Sequence, residues 1–175
     1  MNDRIERILL VGMMGSGKST VGRELARLTG WPFLDNDAVL RELTGREAAA
    51  IDAEDGEAAL HVAEVEALRA ALGRPGPAIV AVAGSIIDHA AERARLAAAG
   101  HVVWLRARPG ILRGRIGSGA GRRDDALDPA WLAARAAERE PRYLAIADQV
   151  IDVENRRPRL IAREILAAIG VAPAG

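Results

Sequence analysis

The sequence predicts a single α/β domain on a parallel sheet, and three observations carry that prediction. Short apolar runs alternate with helical patterns along the chain, the order expected when strands pair in parallel through helical crossovers. Residues 78–83 (AIVAVA) present no polar face, as a strand covered on both sides requires. The chain has 175 residues, half of them apolar, enough for one complete core over residues 1–175.

The first strand is Ile5, Ile8, Leu9, Leu10 and Val11, ending at Gly12. A helical pattern follows over residues 19–29 and is closed by Gly30, the residue that best tolerates the left-handed turn after a helix. Residues 31–34 read as the second strand. The turn Pro75-Gly76-Pro77 leads into the third. Residues 102–105 make the fourth strand and 149–153 the fifth. Further helices are predicted over residues 57–72, 90–99, 129–139 and 158–169. Residues 117–128 (GSGAGRRDDALD) are glycine-rich and charged, and they read as a mobile flap or a plain surface loop. The tail 171–175 is expected to fray.

Composition narrows the partners. Lys+Arg and Asp+Glu are equal at 24 each, so no overall field favours nucleic acid or an anionic membrane. The apolar run 8–14 is too short to span a bilayer and is broken by Gly12, and no targeting segment is read. The absence of cysteine removes disulfides, thiolate catalysis and Cys-based zinc sites and fits a reducing compartment. The expectation is a cytoplasmic protein acting on small molecules.

Gly12-Met13-Met14-Gly15-Ser16-Gly17-Lys18-Ser19 satisfies G-x-x-x-x-G-K-[ST] between an apolar strand and an amphipathic helix, the context this phosphate loop requires. Its backbone N–H groups wrap phosphate oxygens, and the helix that follows adds its positive end. Lys18 is expected to reach the β- and γ-phosphates of ATP, and Ser19 to offer a hydroxyl to Mg²⁺. Thr20 stands near the α-phosphate, so Gly12, Met14, Gly15, Ser16, Gly17, Lys18, Ser19 and Thr20 form the nucleotide set.

Asp35-Asn36-Asp37 stands directly after the second strand, at the carboxyl edge where open α/β sheets bind ligands. One acid can order the metal's water shell and the other accept a hydroxyl proton. The plainer alternative is a pair of helix N-caps.

In order and spacing, residues 12–20 (GMMGSGKST), Asp35 and Asp37, Gly45-Arg46, Asp55-Gly56-Glu57, Glu64, Arg115, Arg122, Arg139-Glu140-Pro141-Arg142-Tyr143 and residues 155–158 resemble the shikimate kinase family. The resemblance runs from Ile8 to Ile169. It implies a three-layer α/β/α P-loop NTPase with a five-stranded parallel sheet, nucleoside-monophosphate-kinase-like, with a lid near 117–128. The implied activity is transfer of the ATP γ-phosphoryl group to the 3-hydroxyl of shikimate in aromatic amino-acid biosynthesis, by a monomer.

By the same resemblance, Asp37 holds the substrate hydroxyls and activates the nucleophile, while Asp35 joins Ser19 at the Mg²⁺ ion. Arg139 grips the substrate carboxylate, and Arg122 neutralises the transferring phosphate, making Lys18, Asp37 and Arg122 the catalytic set. Arg115 and Pro158 flank the adenine.

Three stretches depart from the family pattern. Leu60-His61 stands where the family has Phe-Arg, so a second carboxylate grip is exchanged for an imidazole that is largely neutral near pH 7. Ala83-Gly84-Ser85 replaces three glycines, and a Cβ at either flank narrows the wall or forbids positive φ. Arg123-Asp124-Asp125 replaces Pro-Leu-Leu after the lid arginine. Asp37, His61, Gly84, Ser85 and Arg139 are the expected acceptor contacts. His61 and Glu64 alternatively form an exposed polar pair, and His89 and His101 are expected to be structural. The leading expectation is a shikimate kinase; a kinase of a neutral polyol or cyclitol, and a non-catalytic nucleotide-binding regulator, stand beside it.

Overall fold

The computed structural model describes residues 5–116 and 128–174. Five parallel strands, β1 (Arg7–Val11), β2 (Phe33–Asp35), β3 (Ala78–Ala81), β4 (His101–Arg106) and β5 (Gln149–Asp152), form one sheet in the order β2-β3-β1-β4-β5. This is the expected sheet. Strand β1 lies at its centre, with Leu9 in register with Val80 on one side and Val102 on the other.

Alternation along the strands divides the core into two layers. Leu9 and Val11 join Val80, Val102 and Trp104 on one face. Helices α2 (Asn36–Thr44), α3 (Ala48–Asp55), α4 (Glu57–Gly73), α5 (Ala90–Ala99), α6 (Pro109–Ile116) and α7 (Pro129–Leu144) contribute to that layer. Ile8 and Leu10 point to the opposite face, where α1 (Lys18–Thr29) and α8 (Pro158–Ala168) cover Ile79, Val103 and Leu105. The result is the three-layer α/β/α architecture.

The differences from expectation are local. Helix α7 runs on to Leu144 through Pro141, beyond the predicted end at Arg139, because Tyr143 is buried in the core. The second strand is shifted to Phe33–Asp35. Helices α2, α3 and α6 and a short 3-10 segment, Gly84–Asp88, have weak sequence periodicity or little length and lie outside the predicted elements. Beyond α8, the Val171 N–H donates to Leu166 O and the Ala174 N–H to Leu28 O. No helix among the described residues is long and apolar enough to cross a membrane.

Candidate active site

The phosphate loop follows the central strand, so its position is fixed by the most buried part of the sheet. Gly12 has φ 150°, and a Cβ there would lie 2.7 Å from Leu105 O and from Ser16 Oγ; a side chain has no room. Gly15 has φ 81°, the left-handed region, with Leu112 O at 2.9 Å from an ideal Cβ. The loop closes on itself through the Ser16 N–H, which donates to Met13 O at 3.1 Å. Ser16 is 1% exposed, and its Oγ has no partner among the described residues. A buried hydroxyl beside inward-turning backbone suits an oxyanion ligand.

Lys18 opens α1 and folds back over the loop, its Nζ donating to Gly12 O at 2.8 Å and Met13 O at 3.1 Å. Burial lowers its pKa to about 8, against the opposing pull of the Asp37 and Asp35 carboxylates. Those two acids therefore lie within electrostatic reach of the ammonium group.

Asp35 uses its two carboxylate oxygens separately. Its Oδ1 accepts from the Asp37 N–H at 3.2 Å, capping α2, while its Oδ2 accepts from Ser19 Oγ at 2.5 Å. Two hard oxygen groups thus stand side by side at the loop, a donor set suited to a small divalent cation that keeps several waters. Between the acids, Asn36 is buried and its Nδ2 donates to Glu64 O at 3.4 Å, which holds this turn against α4.

The opposite wall comes from α4, the 3-10 segment and α7. An ideal Cβ on Gly84 would lie 3.6 Å from Arg139 Nη1 and 3.7 Å from Gly12 O, so Gly84 sits between the phosphate loop and the arginine. Arg139 donates from Nε to Asp88 Oδ1 at 3.0 Å and from Nη2 to Asp88 Oδ2 at 2.7 Å. Arg142 Nη1 donates to the same Oδ1 at 2.7 Å. One helical turn beyond Arg139, the buried Tyr143 stacks on Trp104 with ring centroids 5.3 Å apart.

His61 and Glu64 do not form the exposed pair offered as an alternative. Glu64 is 8% exposed, and its carboxylate accepts a short hydrogen bond from Ser85 Oγ. Burial raises its pKa to about 7, opposed by the Ser85 bond. His61 Nδ1 lies 3.4 Å from the same Ser85 Oγ, and its ring stacks on His89 at 3.6 Å. Burial, followed by His89, lowers the His61 pKa, which favours the neutral imidazole. Ala83 lies at φ −61° in extended backbone, and Asn155 is the only non-glycine with positive φ among the described residues. Loss of the flanking glycines therefore costs no backbone strain here, and Ser85 turns its added hydroxyl to use.

Arg115, on α6, donates from Nη2 to Val153 O at 2.9 Å, while Pro158 forms the first turn of α8 after the same loop. His101 opens the interior strand β4, its Nε2 3.3 Å from Gln149 Oε1 on β5. Arg122 and nearly all of the flap 117–128 lie outside the described residues. Asp88, Arg142 and His89 were not among the predicted site residues; their partners are distant in sequence, and only the fold brings them together.

The shikimate kinase family profile matches residues 14–170. Shikimate kinase of Halorhodospira halophila is 39% identical over 171 residues, covering 95% of each chain. That of Moorella thermoacetica is 38% identical over 169 residues, covering 93% of each. Among solved structures, shikimate kinase from Acinetobacter baumannii in complex with shikimate superposes with a TM-score of 0.88 at 30% identity, covering 94% of this chain and 93% of that one.

Proposed function

Because the chain belongs to the shikimate kinase family, a family of ATP-dependent phosphotransferases that act on a hydroxyl, we propose that it phosphorylates shikimate at the 3-hydroxyl. The observation that carries this reading is convergence: Lys18, Asp35, Asp37, Gly84 and Arg139 come together from separate elements beside the phosphate loop.

In the proposed reaction, Gly12, Gly15, Ser16 and Gly17 cradle the phosphates through backbone N–H groups, with Met14 and Thr20 bordering them. Lys18 leaves the Gly12 and Met13 carbonyls for the β- and γ-phosphate oxygens. Ser19 and Asp35 would hold Mg²⁺, directly or through its water shell; when bound, that ion offsets phosphate charge and orients the chain of phosphates. Arg115 and Pro158 would border the adenine.

Asp37 accepts the proton of the acceptor hydroxyl as its oxygen attacks the γ-phosphorus. The bond from that phosphorus to the β–γ bridging oxygen breaks, and ADP leaves. Arg122 would neutralise the moving phosphoryl group, and Arg139 would hold the acceptor's carboxylate end-on through Nη1 and the second N–H of Nη2. Gly84 and Ser85 would border the ring. The proposal extends to a cytoplasmic monomer.

One observation favours a second reading, a kinase of a neutral polyol. His61, in place of a second arginine, is held toward its neutral form and contributes no fixed charge to a carboxylate subsite. The test is ATP consumption with Mg²⁺ in the presence of shikimate, of neutral polyols, or of no acceptor. Turnover with shikimate is expected. Turnover confined to neutral polyols would replace the first reading with the second, and ATP binding with no turnover on any acceptor would mean a regulator. Asp37→Asn is expected to stop transfer and spare ATP binding; a fully active variant would remove Asp37 as the base.

A further inference from the structure

Asp88 receives three charge-assisted hydrogen bonds from two arginines, two from Arg139 and one from Arg142. Its side chain is 22% exposed and that of Arg139 11% exposed, so the pair is shielded from solvent and its geometry is well constrained. Burial pushes the Asp88 pKa up, but its bonds to the two arginines outweigh that and hold it below the usual carboxylate range. It is therefore ionised at neutral pH.

The bonding pattern divides the Arg139 guanidinium by edge. A guanidinium has five N–H groups in a rigid plane. Asp88 takes Nε and one side of Nη2, the edge that faces away from the phosphate loop. Nη1 is turned the other way, toward Met13 Sδ at 3.6 Å and Gly84. The edge formed by Nη1 and the second N–H of Nη2 is thus presented to the site.

We propose that Asp88 is a positioning residue for acceptor recognition: by clamping the inner edge of Arg139, it aims the outer edge at a carboxylate on the acceptor. Arg142 shares the clamp through Nη1, while its Nη2 donates to Glu138 Oε1 at 2.9 Å, so Arg142 is held in place from both ends. The proposal rests on the shikimate kinase reading above, in which Arg139 meets the acceptor's carboxylate. It adds a requirement of this chain: the anchor sits at the end of the 3-10 segment, whose other end, Gly84-Ser85, walls the site.

The test compares wild type with Asp88→Asn, which keeps the shape and removes the charge, and with Asp88→Glu. Steady-state kinetics are measured for shikimate, ATP and a neutral analogue lacking the carboxylate, and shikimate binding is measured calorimetrically without nucleotide. Asp88→Asn is expected to raise KM and Kd for shikimate roughly tenfold, about the worth of one charge-assisted bond. KM for ATP and the analogue's kinetics should stay within about twofold of wild type. Asp88→Glu should restore part of the loss. In an Arg139→Lys background, Asp88→Asn should add nothing further.

An unchanged KM for shikimate in Asp88→Asn overturns the proposal, and so does an equal loss with the neutral analogue, which would make Asp88 structural. A fall in KM also overturns it, because Asp88 would then be competing with the acceptor for Arg139. If wild type does not turn over shikimate at all, the functional reading fails first and separately. Should Asp88→Asn fold poorly, Asp88→Glu carries the test through the same comparison: an analogue-independent loss there would equally overturn the proposal.

Discussion

Ser19 Oγ donates to Asp35 Oδ2 at 2.5 Å, tying the first turn of α1 to the end of β2. Both oxygens belong to the proposed metal subsite, so the bond keeps the donors together before any ion arrives. Asp35→Asn is expected to raise the Mg²⁺ concentration for half-maximal rate about tenfold, since a neutral amide attracts a hard cation far less than a carboxylate does. A magnesium titration of initial rates checks this. An unshifted titration would remove Asp35 from the metal subsite.

The low pKa of Lys18, about 8, is a property of the ligand-free loop. Phosphate beside the ammonium group favours its charged form, so ATP binding near pH 8 should take up a fraction of a proton. ATP affinity should be flat below that pH and weaken above it. Calorimetry in buffers of different ionisation enthalpy reads the uptake directly. Lys18→Ala should abolish it and lower kcat by roughly a hundredfold or more.

Glu64 ionises in a buried position, with its pKa raised to about 7. A carboxyl whose folded pKa exceeds its unfolded value adds stability that is complete below about 4.3 and is lost as pH rises through about 7. Glu64→Gln should therefore flatten the stability profile between those limits. The variant should gain on wild type as pH rises, by up to about 3 kcal/mol. Urea unfolding at pH 5 and pH 8 tests the sign.

Gly22 lies on the buried face of α1, and a Cβ there would lie 2.2 Å from the Phe33 ring. Gly22→Ala forces α1 away from β2 and should cost roughly 1–3 kcal/mol. The melting temperature should fall by several degrees. A variant as stable as wild type would mean that Phe33 rotates away freely.

Position 61 offers a gain rather than a loss. An arginine there would place a permanent charge beside Ser85, where His61 now lies 3.4 Å away. If shikimate is the acceptor, His61→Arg should lower its KM roughly tenfold. An unchanged KM would show that the imidazole is not the weak point of the carboxylate subsite.

The sheet and the phosphate loop were legible in the sequence because both are local. Five apolar runs marked the strands, and residues 12–19 carry their chemistry in consecutive positions. Asp35 was legible as two alternatives; the structure shows the helix cap, and the place at the metal is part of the proposed function. Glu64 was harder to read: three residues from His61 on a helix, it left an exposed polar pair open as an alternative, and its burial against Ser85 brings in the 3-10 segment, which is distant in sequence. Asp88 gave no sequence signal, because its value lies in partners 51 and 54 residues away. The stop predicted at Arg139 failed because the burial of Tyr143 carries the helix through Pro141.

The two sides of the site are anchored differently. The phosphate loop hangs from β1, which is flanked by strands on both edges and covered by side chains on both faces. The proposed acceptor wall is assembled from α4, the 3-10 segment and α7, all within one layer. The two sides meet at Met13, a phosphate-loop residue that packs in that same layer and lies 3.6 Å from Arg139 Nη1. In the proposed reaction, a change of acceptor would therefore fall on α4 and the 3-10 segment, which carry His61, Gly84 and Ser85, and would be felt at the phosphate loop through that contact.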